Sequence, residues 1–223
     1  MSPAIVEALR AEAAHAGAFL GSLSEEDLDR KTRCPPLTIR ELAVHTLRGS
    51  MRIREMIEAG PVDAQPESDG ETYFRYDPAE VGPDVIRRAQ EAAEDLGPGI
   101  KDLWLPTWSA SLDAAAAVLT DGDPVLRNVF GGLMKLSEYL RTRAVEVVIH
   151  HMDLRDARGL APDPDEDALE IVCRVLAGLL GTDPRRLGME AIRFALLGTG
   201  RTTLTDAERK TLGPLADEMP VLT

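Results

Sequence analysis

Apolar positions recur along this chain at the three-and-four spacing of helices rather than the alternation of strands. Ser2 to Leu23 carries such a stripe at Ile5, Leu9, Ala13, Ala16 and Leu20, with Pro3 acceptable in the first turn. His15 falls off that stripe and reads as a surface residue. Ser24-Glu-Glu-Asp-Leu opens a short helical turn, and Pro35-Pro36 breaks the chain into an extended segment. Thr38 then caps a second long helix, with Glu41 three residues on completing a capping box. Its apolar face is Ile39, Leu42, Thr46, Gly49, Ile53, Met56 and Ile57, with His45 at the rim.

Residues 60–82 are rich in Pro, Gly and acids and predict a long connection, of the kind that is often functional. A third helix runs from a cap at Asp84 through Ala93. Gly97-Pro98-Gly99 and Pro106 break or kink the pattern before it resumes at Ser109–Leu119, with Trp104 and Trp108 packed near the kink. Val125–Met134 is an irregular lead-in. Leu136–Gly159 forms one long helix, with Ser137 as N-cap and Gly159 as left-handed stop. Helices over Asp167–Leu180 and Pro184–Leu197, a short one started at Thr205 and an extended end complete an all-α chain.

The Leu136–Gly159 helix is apolar through its centre except for Glu146, His150 and His151. Glu146 and His150 lie about 40° apart on one face and about 6 Å apart along the axis, with Arg143 and Asp153 on the same strip. Two readings stand at this stage. One is an ordinary i,i+4 contact on a polar strip. The other is two legs of a metal site, which requires a third ligand elsewhere. A lone histidine such as His45 is usually a boundary residue bonded to a carbonyl. Yet Gly49, one turn away, leaves room for another helix to come close, so His45 is the best candidate for that ligand.

Composition narrows the function. The 223 residues fit one domain or a domain with a small appendage. Apolar residues make up 44% and aromatics only 4%, which favours helices packed through small and branched aliphatics. The net charge of −13 argues against nucleic acid or an anionic membrane surface as main partner. No apolar run approaches a membrane span and the N-terminus lacks a signal-peptide pattern, so a cytoplasmic setting is expected. Cys34 and Cys173 predict reduced thiols rather than a disulfide framework. No phosphate loop, serine elbow or Cys-x-x-Cys pair occurs; the His/Glu set is the one constellation above background.

The segment Cys34-Pro-Pro-Leu-Thr-Ile-Arg-Glu-Leu-Ala-Val-His45, followed by Arg143-Ala-Val-Glu146-Val-Val-Ile-His150-His-Met-Asp153-Leu, resembles the mycothiol-dependent maleylpyruvate isomerase family. That family belongs to the DinB-like metal-binding four-helix bundles. The likeness implies such a bundle over 1–158 and a small, mainly helical region over 159–223. It also implies His45, Glu146 and His150 as ligands of a divalent metal, zinc first and nickel or iron as alternatives, with mycothiol or a similar thiol as second cofactor. Leu37 stands where members commonly carry Trp, and residues 160–223 read as helical where the characterised isomerases have an α/β domain. The resemblance therefore implies the bundle and its metal rather than one reaction.

Three protein ligands leave a coordination position open for a thiolate that attacks an electrophilic carbon. The expected activity is thiol transfer or cis–trans isomerisation of an electrophilic small molecule. Arg143 is the expected anchor for a carboxylate of thiol or substrate, and Asp153 the expected partner orienting His150. Arg201 is a further cofactor-binding candidate, on its position near the end of the chain. The alternatives are a metallohydrolase using a metal-bound water and a non-enzymatic small-molecule-binding bundle; a homodimer is compatible with either.

Overall fold

The structure is a computed structural model that describes residues 3–75 and 78–222. Its first helix, α1 (Ala4–Ser22), begins after Pro3, so the expected start at Ser2 lies outside the described residues. The short α2 (Glu25–Leu28) carries a capping box between Ser24 and Asp27. In α3 (Ile39–Ala59), the Thr38 hydroxyl accepts from the Glu41 N–H, and the Glu41 carboxylate accepts from the Thr38 N–H in return. Both orphan donors of that first turn are thereby satisfied, as the sequence predicts.

α4 (Pro78–Leu96) and α5 (Ile100–Asp121) meet at a single 3-10 turn, Gly97–Gly99, which Gly97 permits with φ +58. The expected cap at Asp84 is corrected: the helix starts at Pro78, and Asp84 sits inside it, paired with Arg87 and Arg88. Trp104 and Trp108 are buried with ring centroids 6.1 Å apart, and the Trp104 indole N–H donates to the Ala13 carbonyl at 2.8 Å. That bond ties α5 to α1.

The irregular lead-in is also corrected. It is a small antiparallel hairpin, β1 (Val125–Arg127) and β2 (Leu133–Lys135), with Leu126 opposite Met134. Three-residue strands are too short to print a period in the sequence. α6 (Leu136–Asp156) follows directly. Ser137 is not its N-cap. The Asp123 carboxylate, in the preceding turn, accepts from both the Ser137 N–H (2.9 Å) and its hydroxyl (2.7 Å). At the other end Gly159 takes φ +68, its N–H bonds the Asp156 carbonyl and the Leu160 N–H bonds the Arg155 carbonyl. This is a glycine stop with both 5→2 and 6→1 bonds.

α1, α5, α3 and α6 form a ring in which each helix packs on the next; this is the four-helix bundle. α4 lies outside, against α3. Beyond the bundle come α7 (Glu166–Leu180), α8 (Ala191–Gly198) and α9 (Asp206–Leu212). The expected single helix Pro184–Leu197 is instead a 3-10 turn, Pro184–Leu187, stopped by Gly188 at φ +88, and then α8. α7 packs on α6 and α1, and Cys173 within it is fully buried, which pushes its thiol up to about 11. Among the described residues no helix is long and apolar enough to cross a membrane.

Candidate metal centre

α3 and α6 run antiparallel where they touch. His45 meets Glu146, and one turn further along α3 Gly49 meets Arg143, one turn back along α6. The approach at Gly49 is close: a Cβ there would lie 2.8 Å from Arg143 Nη1. Glycine thus makes room for a guanidinium on the inner face.

At this crossing His45 Nε2 lies 3.3 Å and His150 Nε2 3.4 Å from the same oxygen, Glu146 Oε2. The two imidazoles stand nearly perpendicular with centroids 5.4 Å apart. All three candidate ligand atoms lie within 4.8 Å of one another. Arg143 is buried beside them. Its guanidinium lies 4.8 Å from the centre of the Tyr139 ring and donates to the Tyr73 hydroxyl at 3.3 Å.

The other ring nitrogen of His150 has its own partners. Nδ1 is 3.1 Å from Asp153 Oδ2, and Asp153 is 1% exposed. Arg201, arriving from the turn after α8, donates to the same carboxylate from Nη2 (2.8 Å) and Nε (3.2 Å), and its Nη1 is held by the Thr199 carbonyl. Cys34 Sγ, from the extended segment before α3, is 3.3 Å from Asp153 Oδ2. Sequence reasoning missed Cys34 here, since it treated the residue only as a reduced thiol and part of a motif.

These contacts set the charges. Burial opposes the ionised form of Glu146, but hydrogen bonds from His150 and His45 and the charge of Arg143 overcome it and hold its carboxyl well below the ordinary range. Burial likewise opposes a charged His150, yet its bonds to Asp153, Cys34 and Glu146 lift it well above the ordinary imidazole. Asp153 is held low by His150 and Arg201 against its own burial.

Among the described residues two clusters have metal-ligand spacing, and they share His150: His45–Glu146–His150 on its Nε2 side and Cys34–His150–Asp153 on its Nδ1 side. The second is the poorer cation site, because its carboxylate is already neutralised by a guanidinium. The first opens on a cavity of about 390 Å³ walled by α3, α4, α6 and the hairpin tip. A smaller pocket of about 120 Å³, lined by Thr199, Arg201 and Leu222, also reaches Glu146 and His150.

His151 turns away from the centre, as its position on the helix predicts. It is buried against α1, with Nδ1 2.7 Å from Glu12 Oε1, while Glu12 Oε2 accepts the Asp165 N–H at the start of α7. Glu12 was readable as an anomaly, since an acid three residues after Leu9 and four before Ala16 falls on the apolar stripe.

The inner helices of this bundle bring two imidazoles and a carboxylate to the floor of a cavity, the placement in which helical bundles build ion sites from facing helices. The family model described as mycothiol maleylpyruvate isomerase N-terminal domain matches residues 9–155. The chain belongs to that family. No curated protein and no solved structure matches it.

Proposed function

We propose that this chain is a metal-dependent enzyme that uses a low-molecular-weight thiol, mycothiol by family, for S-transfer to, or cis–trans isomerisation of, an electrophilic small molecule. The observation that carries this reading is the convergence of His45, Glu146 and His150 within 4.8 Å at a cavity floor. The donor set fits a divalent ion, with zinc first and nickel or iron as alternatives. If the His150 Nδ1–H is spent on Asp153, neutral His150 turns an Nε2 lone pair toward the Glu146 oxygen 3.4 Å away. Two acceptors then face each other, an arrangement relieved by a cation between them or by a second proton on the ring.

When bound, the ion supplies the positive charge that holds a thiol as its nucleophilic thiolate. The chain's own residues do the rest. His45 and His150 each offer a ring nitrogen and Glu146 a carboxylate oxygen. Asp153 fixes the His150 ring by accepting its Nδ1–H, and Arg201 offsets the charge of Asp153. Arg143, stacked on Tyr139 beside Glu146, steadies an anionic group of thiol or substrate. Arg201 also lines the smaller pocket, where it stands beside a thiol's polar end in this reading. The proposal includes the bundle at 1–158 with the helical region 159–223 closing over His150. Its setting is a cytoplasm that keeps Cys34 and Cys173 reduced, with no nucleic-acid partner.

The test is metal content of the wild type beside His45→Ala, Glu146→Ala and His150→Ala, followed by cobalt substitution and addition of mycothiol. Each variant should lose the metal, and the cobalt protein should gain a sulfur-to-cobalt charge-transfer band. Tight metal retention in all three variants overturns the site. Metal loss without a sulfur band overturns the thiol and leaves a water-based hydrolase.

A further inference from the structure

The main cavity is lined by two unlike sets of residues. α3 and α6 supply its charged groups, with His45, Glu146 and His150 at the floor and Arg48, Arg52 and Arg143 beside them. α4 and the hairpin tip supply an apolar lining: Val81, Val85, Ile86 and Ala89 from the helix, Val129 and Phe130 from the turn. The one charged residue among the described members of this second set is Arg88, and Asp84 takes it up at 2.7 Å.

Local structure keeps part of this set out of the core. Val81, Val85, Ala89 and Ala93 recur every four residues and so fall on one side of α4. Toward the C-terminal end that side is covered by protein, for Ala89 and Ala93 are buried. Toward the N-terminal end Val81 and Val85 are only half-buried and line the cavity. On the hairpin, Val129 is 43% and Phe130 54% exposed. A loose turn is not the reason. The side-chain oxygen of the buried Asn128 accepts the Phe130 N–H at 2.9 Å, and the Asn128 N–H donates to the Gly132 carbonyl at 2.8 Å. Gly131, at φ +89, lets the chain double back between them. The tip thus holds Phe130 at the cavity, its ring 5.5 Å from that of Tyr73, and not in the core.

Single exposed apolar side chains are ordinary, but several from two elements converging on one concavity mark a seat for an apolar occupant. The surroundings set its form. A concavity of about 390 Å³ with the candidate centre at its floor has the shape of a small-molecule site and not of a flat protein-binding face. We infer that the cavity takes a small molecule with an apolar body, a ring or a short branched chain, seated against Val81, Val85 and Phe130, and that these three residues select for it. Under the proposed function this molecule is the electrophile; that assignment rests on that reading, whereas the apolar seat does not.

The experiment titrates metal-free protein with the neutral fluorescent probe N-phenyl-1-naphthylamine and displaces it with butanol, hexanol and 1,6-hexanediol, for wild type, Phe130→Ser, Phe130→Leu, Val85→Asn and Leu187→Ser. Hexanol should displace the probe about fifteenfold more effectively than butanol, two buried methylenes at about fourfold each, and 1,6-hexanediol no better than butanol. Phe130→Ser and Val85→Asn should each weaken probe binding about tenfold and Phe130→Leu about threefold at most. Leu187→Ser, which removes an exposed apolar side chain outside this cavity, should change nothing. Phe130 is exposed enough that its replacement leaves the fold intact, so it decides the matter if Val85→Asn does not fold. Displacement indifferent to chain length, or probe binding unchanged in Phe130→Ser, overturns the inference. So does a wild type that sediments as a dimer where Phe130→Ser sediments as a monomer, because the face is then an interface between copies. A second arm gives zinc-loaded protein and mycothiol either phenyl vinyl ketone or methyl vinyl ketone; the sulfur bonds the terminal alkene carbon and its proton passes to the carbon beside the carbonyl. Relative to the uncatalysed rates, wild type should favour the phenyl ketone about tenfold and Phe130→Ser should lose that advantage. Catalysed addition equal for both ketones overturns the assignment to the electrophile. No catalysed addition to either, with the alcohol series as expected, fails the proposed function and leaves the apolar seat standing.

Discussion

Asp153→Asn is the most informative single change, because that carboxylate joins the candidate centre to the rest of the chain. Asp153 is 1% exposed and meets His150 Nδ1 at 3.1 Å, Arg201 at 2.8 and 3.2 Å, and Cys34 Sγ at 3.3 Å. Breaking a buried ion pair by removing one partner costs about 3–5 kcal/mol, since the remaining charge is left uncompensated. Asparagine keeps one acceptor oxygen but turns an NH2 group toward one of three donors, so a loss of about 3 kcal/mol is expected. For a chain of this length that lowers Tm by roughly 6–12 °C. Urea denaturation of metal-free protein measures it. A double-mutant cycle with Arg201→Met should return a coupling of about 2–3 kcal/mol. Zinc affinity should fall about 10–100-fold in Asp153→Asn, as it does when a histidine ligand loses the group that orients it. A stability loss below about 1 kcal/mol, together with additive single mutants, would refute the reasoning.

Glu12→Ala should cost about 3–5 kcal/mol in urea denaturation while leaving metal content unchanged, because it strands His151 in the core far from the cavity. Gly49→Ala should keep stability within about 1 kcal/mol, since better helix propensity offsets the shift forced on the flexible end of Arg143. The same change should weaken thiol binding, measured by titration. Glu208 is held at about 2, below its ordinary 4.5, by the Arg193 guanidinium and the Thr205 N–H acting against slight burial. A carboxyl lowered on folding contributes stability above pH 4.5 and loses it as pH falls through about 2. Discounted for partial exposure, Glu208→Gln should cost about 1–2 kcal/mol at neutral pH and flatten the acid limb of the denaturation profile.

The local rules of helix formation were readable in advance. Thr38 with Glu41, the aliphatic stripe of α1 and the Glu146/His150 spacing all depend on residues within a turn or two of one another. The meeting of His45 with Glu146, 101 residues apart, is not a local property. It became readable through the spacing of two family motifs and the small residue at position 49. What stayed hidden depends on partners chosen by tertiary packing. Asp123 caps α6 from outside the helix, so Ser137 looked like the cap. Cys34 and Arg201 converge on Asp153 from segments with no shared pattern. The hairpin was hidden because three residues per strand cannot display an alternation.

Arg201 joins the bundle 48 residues after the carboxylate it neutralises. During synthesis, α6 is therefore complete well before this counter-charge has left the ribosome. Until then the cationic partners left to Asp153 are His150, at 3.1 Å, and Arg33, at 3.8 Å. A nascent chain halted after its bundle would carry an acid with every reason to seek water, and would hold its helices loosely until the final stretch arrives to lock them.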